Sequence, residues 1–328
     1  MTESVTGSGA DEGSSLPHVA AAELDRRVPM GRAVEAVGEA LRLLVDGDFD
    51  QPQRAVMNDA TVLVMAATRI STGDAVVKTV TVRLGATDGD QAINGTLLWI
   101  DGETGQGAFT VDGAQVTALR TGAVSGVATS LLAVPDACRL TVVGAGRQAW
   151  TQVSAVCAVR PITSITVTSR TAQRARSFAA AVAADRPGVS VRLVDSPDEA
   201  VADADVICAA TSASTPVFAA DAPPDWAHVN AVGAYQTSMA ELPTELMTSA
   251  SLVAVDDREA CLAESGEVTA AVAAGVPPAA LHPLGALVVR PPSREGRTVF
   301  KSVGCAALDW AVGDLLATEL LAQRRRTP

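Results

Sequence analysis

Leu140-Thr141-Val142-Val143-Gly144-Ala145-Gly146-Arg147-Gln148-Ala149 is an apolar strand that breaks into glycines and continues as a helix. The spacing G-x-G-x-x-A predicts a seat for a nucleotide pyrophosphate. Gly144 permits the tight turn, Gly146 lets the backbone approach the phosphates, and Ala149 replaces the usual last glycine where helix packs on strand. A helix opening near Arg147, with Gln148 beside it, adds free N–H groups and a positive dipole end. Alone the pattern is weak in a chain with 26 glycines. Its setting strengthens it: one helix length, Gln148 to about Val159, leads to a second strand, Ser164 to Arg170, and completes a βαβ unit.

In a site selective for NAD the end of that second strand carries Asp or Glu, which bonds the ribose 2′-hydroxyl and repels a 2′-phosphate. Here it carries Ser169, Arg170 and Thr171, with Arg174 one helical turn later. A guanidinium and two hydroxyls suit a phosphate, which favours NADP(H), NADPH in the reduced form, over NAD. The two arginines also fit as solvated residues at a helix start, and both readings stand at this point.

Working outward, 328 residues leave room for two domains with ample interior. The composition is 48% apolar and only 3% aromatic, so the core is built of small and β-branched side chains. A formal charge of −12 excludes a nucleic-acid partner, because no basic stripe exists to neutralise phosphates. The one basic run, Arg324-Arg325-Arg326, reads as a solubilising helix end. Five cysteines, at 138, 157, 208, 261 and 305, match no metal spacing and are odd in number, so they read as buried thiols in a reducing compartment. No metal site is expected. The N-terminus lacks a signal-peptide pattern and no apolar run reaches membrane-spanning length, which predicts a cytoplasmic protein with no membrane partner. Residues 1–15 are small, polar and aperiodic, the composition of a disordered tail.

The periodicity predicts a short strand at His18, a helix over Met30–Val45, and strands at Arg54–Met57, Thr61–Ala66, Ala75–Leu84, Ile93–Asp101 and Gly107–Val111. These form a mostly antiparallel sheet. A helix from Thr117 to Ala133, rich in small residues, follows. Beyond Pro135-Asp136 strands alternate with helices: helix 171–184, strand 189–194, helix 197–203, then strands Asp205–Thr211, Ala227–Gly233 and Ser251–Asp256. That alternation is the mark of a doubly wound parallel α/β sheet. Thr298–Gly304 is a strand or loop feeding a last helix, Ala306–Leu321, expected to return to the first sheet. His228 begins a buried strand and reads as a satisfied core residue.

Several segments together resemble the ornithine cyclodeaminase/mu-crystallin family: Gln51-Pro-Gln-Arg54, Lys78 at the end of a strand, Asp101-Gly-Glu-Thr-Gly105, Ala118-Leu-Arg-Thr-Gly-Ala-Val-Ser125, Val143–Ala149, His228–Gly233 and Phe300–Gly304. The resemblance covers the chain from about Pro17. It implies a homodimer of two-domain subunits: a substrate and dimerisation domain of α+β type (16–134 with 305–328) and a Rossmann domain (135–304) that binds NAD(P). It also implies that residues matching Arg54, Lys78 and Arg120 grip a substrate carboxylate, a task for which arginine offers a planar fork and lysine a point charge. Thr211, Ala231, Val232, Gly233, Ser302 and Val303 match cofactor-binding positions, although Gly233 and Gly304 also fit a purely structural role.

Departures from the family pattern narrow the activity. Tyr235 and Leu63 stand where ornithine cyclodeaminases carry carboxylates that serve the substrate's amines, and Ala92 and Met239 replace a threonine and a lysine near the cofactor. Buried ammonium groups without counter-charges cost several kcal/mol, so a diamine substrate is disfavoured. Tyr235 is the only tyrosine in the chain; it reads either as a proton donor or as a pocket wall. The expected function is an NAD(P)H-dependent oxidoreductase acting on the C=N or CH–NH bond of a small α-imino or α-amino acid, as ketimine reductase or amino-acid dehydrogenase. The alternatives are a deaminating cyclase of the ornithine cyclodeaminase kind and a non-catalytic NADP-dependent ligand binder of the mu-crystallin kind.

Overall fold

The computed structural model describes residues 16–58, 61–83 and 93–324. The expectations for residues 1–15, Leu84, Ala92, Arg325 and Arg326 lie outside these. In the first half run β1 (His18–Val19), α1 (Ala21–Arg27), α2 (Met30–Val45), β2 (Phe49–Asp50), β3 (Ala55–Met57), β4 (Val62–Arg69), β5 (Ala75–Val82), β6 (Ile93–Ile100), β7 (Gly107–Asp112) and α3 (Gly113–Leu132). The sheet has the order β1-β7-β6-β5-β4-β2, with β3 also on β4. All its pairings are antiparallel except β1 on β7. Alternate residues of a strand share a face. On β5 the buried set is Val76, Lys78, Val80 and Val82, and across the register Leu63 faces Val80 and Met65 faces Lys78. Lys78 thus lies inside its strand rather than at the end of it, a charged side chain in an otherwise apolar row.

The small-residue helix begins at Gly113 rather than at Thr117. Asp112 caps it, its side chain accepting from the Gln115 amide at 2.7 Å, while the Thr117 hydroxyl donates back to the Gly113 carbonyl. Almost all of α3 is buried, because it is packed between helices from both halves of the chain. Its glycines permit that approach. A Cβ on Gly122 would lie 2.6 Å from the Thr151 carbonyl oxygen, and one on Gly126 would lie 2.6 Å from Val34.

In the second half run β8 (Arg139–Val143), α4 (Arg147–Val159), β9 (Ser164–Thr168), α5 (Ala172–Asp185), β10 (Ser190–Leu193), α6 (Pro197–Val201), β11 (Val206–Ala209), β12 (His228–Ala231), α7 (Thr244–Ser249), β13 (Leu252–Val255), α8 (Arg258–Glu264), α9 (Gly266–Ala273), β14 (Leu281–Pro283), α10 (Leu284–Val289) and β15 (Thr298–Lys301). The sheet is wholly parallel, in the order β10-β9-β8-β11-β12-β15-β13-β14. The chain is thus α/β, a doubly wound Rossmann sheet with an α+β sheet before it. Strand order reverses between β8 and β11, and a ligand crevice forms at the carboxyl ends of strands flanking such a reversal. The last helix, α11 (Ala306–Arg324), returns to the first sheet and packs on α2, α3, β4 and β5. Elements the sequence did not signal, α1, α7 to α10 and β14, have eight residues or fewer and too little length to show a period.

Gly122→Val tests the helix crossing. The added side chain meets backbone that cannot yield, so the unfolding free energy should fall by about 1–3 kcal/mol or more. A urea titration matching the parent protein would show that α3 and α4 do not pack this closely.

Candidate active site

At the turn after β8, Gly144 has φ +114°, and a Cβ there would lie 2.6 Å from the Ala210 carbonyl oxygen. Only glycine takes that conformation without strain. Gly146 is exposed, and a Cβ on it would meet nothing within 4 Å, so open space lies over the start of α4. No side chain caps this 13-residue helix. Its first N–H groups are left for a ligand, as a pyrophosphate seat requires. The Gln148 Oε1 is buried without a partner. Arg147 donates to Gln115 at 2.9 Å. Ser169 is half-buried at the end of β9, and Arg170, Thr171 and Arg174 are exposed where α5 begins. Arg174 lines an open cleft with Ala145, Gln173 and Phe178. The residues present fit a dinucleotide.

Beyond the reversal point, a carboxylate that the sequence reading missed organises the crevice floor. Glu241 is buried, and its two oxygens accept from the amides of Thr211 (2.5 Å), Gly233 (2.7 Å) and Ala234 (3.1 Å). It thereby ties the end of β11 to the end of β12. Gly233 has a structural reason to be glycine: a Cβ would fall 2.0 Å from the Thr211 carbonyl oxygen. Ala231 and Val232 are buried in the same wall. Glu267 accepts from the amides of Glu241 and Leu242, and its other oxygen pairs with the buried Lys301 ammonium at 2.7 Å. Lys301 also donates to the Ala234 carbonyl. Burial pushes the Glu241 carboxyl above its ordinary range, opposed by Lys301. The turn after β15 is built similarly: Asp256 accepts from the Ser302 hydroxyl and the Gly304 amide, both at 2.6 Å, with the Val303 amide at 3.5 Å.

The structure brings the three predicted cations together. Lys78 is fully buried, its Nζ 2.6 Å from Asp309 on α11 and 3.2 Å from the Thr117 hydroxyl. Arg120 from α3 lies with Nε 3.5 Å from the same Asp309 oxygen. Its guanidinium occupies the space that a side chain on Gly304 would need, a Cβ falling 2.1 Å from it, and Gly304 has φ +82°. Arg54 reaches the same turn, donating to the carbonyls of Val303 (3.0 Å) and Gly304 (2.5 Å) and pairing with Glu264 at 2.9 Å. Beside Arg54 a cavity of about 170 Å³ opens, with Gln51, Asp257, Glu259 and Glu264 on its walls. Burial lowers the Lys78 ammonium to about 8, against the upward pull of Asp309 and with a further push from Arg120 and Arg54.

Tyr235 projects from the floor onto the first sheet and packs with Leu63, Val80, Val82 and Ile93. Its hydroxyl is buried without a hydrogen-bond partner, and burial raises its pKa. Since Val80 follows Lys78 on one face of β5, this apolar patch continues directly from the cationic cluster. Met239 is buried. His228 is a core residue, bonded to Thr298 and Asn230 and lowered to about 3 by burial. Asp309, Glu241, Glu264 and Asp256 carry no signal in the sequence, because the groups each of them binds lie on other elements.

A doubly wound sheet with a glycine turn at its carboxyl edge, and a cluster of three cations at and beside the Gly304 turn of that edge, defines a dinucleotide-dependent α/β protein. The profile of the ornithine cyclodeaminase/mu-crystallin family matches residues 18–323, and the chain belongs to that family. It is 36% identical over 243 residues to the Delta(1)-pyrroline-2-carboxylate reductase of Bacillus cereus, covering 72% of this chain and 74% of that one. It is 37% identical over 223 residues to the ketimine reductase mu-crystallin of Macropus fuliginosus, covering 67% and 68%. Among solved structures, the Thermococcus litoralis Delta(1)-pyrroline-2-carboxylate reductase in complex with NADH and L-proline superposes with a TM-score of 0.88 at 28% identity, covering 94% of this chain and 98% of that one.

Glu241→Gln places an amide N–H₂ where one of the carboxylate oxygens accepts from the backbone. Losing one charge-assisted bond costs about 1.5–3 kcal/mol, so nucleotide affinity should fall roughly tenfold or more. Equilibrium titration with NADPH, followed by its fluorescence, measures this directly.

Proposed function

We infer that the chain is an NAD(P)H-dependent oxidoreductase that reduces the C=N bond of small α-imino acids, its reverse reaction being amino-acid dehydrogenation. The observation that carries this reading is that Lys78 and Arg120 share one oxygen of Asp309 while Arg120 and Arg54 both reach the Gly304 turn at the end of β15. The two relatives are named for reduction of pyrroline-2-carboxylate and of ketimines. Cyclic imino acids with five- or six-membered rings are the substrates we propose.

In this mechanism the Arg120 fork and the Lys78 ammonium hold the substrate carboxylate, with Arg54 completing the grip once it turns from Glu264. Holding that group orients the adjacent imine carbon toward the floor, and orientation of this kind supplies much of an enzyme's rate. When bound, the nicotinamide supplies the reducing equivalents. Gly144, Gly146, Arg147 and Gln148 seat its pyrophosphate; Thr211, Ala231, Val232, Gly233, Ser302 and Val303 wall its ring. Ser169, Arg170, Thr171 and Arg174 meet a 2′-phosphate, which makes NADPH the preferred cofactor. Tyr235 keeps its proton at neutral pH, since burial raises its pKa, and presents a hydroxyl on an apolar wall. It serves the reaction as a hydrogen-bond donor at the imine.

We place the substrate domain at residues 16–134 with 305–328 and the nucleotide domain at 135–304. The working form is a homodimer; the exposed apolar residues Val56 and Met57 on β3, which pairs on one side with β4 alone, offer an interface strip. No helix among the described residues is long and apolar enough to cross a membrane, and all five cysteines are free thiols, which suits a cytoplasmic location.

The test is net NADPH oxidation by purified protein with pyrroline- and piperideine-carboxylates. Lys78→Met and Arg120→Met should each raise KM by at least about a hundredfold, as loss of a charged contact of about 3 kcal/mol requires, while nucleotide affinity stays intact. Ammonia released from diamino acids without net cofactor turnover would replace this reading with the cyclodeaminase one. Arg170→Asp should shift the preference from NADPH toward NADH by tenfold or more, seen as the ratio of kcat/KM values. An unchanged ratio would show Arg170 to be a solvated surface residue.

A further inference from the structure

Beneath the cationic cluster sits an acid that no sequence argument singled out. Asp309 lies in the first turn of α11 with its side chain wholly buried. Its Oδ1 is shared by the Lys78 ammonium at 2.6 Å and the Arg120 Nε at 3.5 Å. The other oxygen, Oδ2, is buried with no hydrogen-bond partner, as is the Arg120 Nε. Arg54 has its own carboxylate, Glu264. In direct ion pairs the three cations thus share two acids, Lys78 and Arg120 having a single carboxylate oxygen between them.

Resting on the carboxylate-clamp reading above, we propose that Asp309 is the positioning residue of this site. It keeps Lys78 in its charged form and holds the Lys78–Arg120 pair ready for one acid group, without itself touching substrate. An ammonium buried beside a guanidinium sheds its proton unless a counter-charge opposes this, because desolvation and like charge both disfavour the ion. The groups facing Lys78 are Thr117 and Arg120 from α3, Arg54 from the segment before β3, and Asp309 from α11; Cys305 lies near Arg120. Its register partners on β4 and β6, Met65 and Leu97, are apolar. Asp309 is thus the acid in direct contact with the ammonium, and the attraction it exerts is what offsets burial.

The sign follows from the proton count. A clamp that needs the ammonium binds an anion with constant affinity below the lysine's pKa and loses about tenfold per pH unit above it. In the parent protein that loss begins near the value of about 8. Removing Asp309 moves it to lower pH.

The experiment is calorimetric binding of pyrrole-2-carboxylate, a planar monocarboxylate that cannot be reduced at a C=N bond, to the full chain with NADP+ present, from pH 6 to 9.5. Asp309→Asn should bind NADP+ normally and bind the acid nearly as well as the parent at pH 6. Its alkaline midpoint should lie at least about one pH unit lower, with affinity at least about fivefold weaker at pH 8. Asp309→Glu, which retains a carboxylate, should keep the midpoint within about half a unit. A loss of affinity in Asp309→Asn that is uniform across pH, with an unmoved midpoint, would reduce Asp309 to a packing role and overturn the proposal. Should Asp309→Asn not fold, a midpoint in Asp309→Glu displaced by a full unit overturns it equally. If the parent protein bound the acid at no pH while still binding NADP+, the carboxylate clamp itself would fall, and this inference with it.

Discussion

One buried acid set among cations is the constraint on which the site depends. The Asp309 carboxylate, the Lys78 ammonium and the Arg120 guanidinium come from α11, β5 and α3, and all three are taken out of water. Burying such charges carries a desolvation cost that their attraction rarely exceeds, so the cluster is not there for stability. It persists because the surrounding fold holds it. The last helix must return across the chain to bring Asp309 under β5, and the turn before it must be glycine, since the Arg120 guanidinium fills the side-chain position of residue 304.

The same economy of means shapes the other side of the crevice. Glu241 and Asp256 direct their oxygens at backbone amides of the turns that close β11, β12 and β15. A carboxylate bonded to several amides of two strands acts as a fixed bracket, and charge-assisted bonds are the strongest available for the purpose. The Lys301–Glu267 pair supports this bracket from beneath. The floor is therefore tied at three points, and the small residues Gly233 and Ala234 keep it low.

Two environments flank the cationic cluster. Toward Tyr235 the surface is apolar, built by Leu63, Val80 and Val82, with a hydroxyl that has no partner. Beyond Arg54 lies a cavity edged by acids, and burial raises both Glu264 and Asp257 above the usual carboxylate range. Among the described residues the Tyr235 side is lined by apolar side chains, which agrees with the compact ring of the proposed imino acid.

The nucleotide half was readable from residue order because its signals are local: a strand, two glycines and a helix start stand next to one another from Leu140 to Ala149, and β-α alternation repeats behind them. The antiparallel strands were readable from their alternation, whereas helices of six or seven residues such as α7, α8 and α10 were not, being too short for a period. Of the site, Arg54, Lys78 and Arg120 were reached only through the motifs around them, since an isolated cation has no sequence signature of its own. Their counter-ions had none either. Residue order alone carried the strand–glycine–helix turn and the doubly wound sheet, because those depend on neighbours a few residues apart. That Asp309 lies beneath Lys78, that Glu264 faces Arg54 and that Glu241 binds two strand ends became visible in the folded chain alone, because Coulomb and hydrogen-bond partners are chosen by distance in space, and Asp309 stands 231 positions from Lys78.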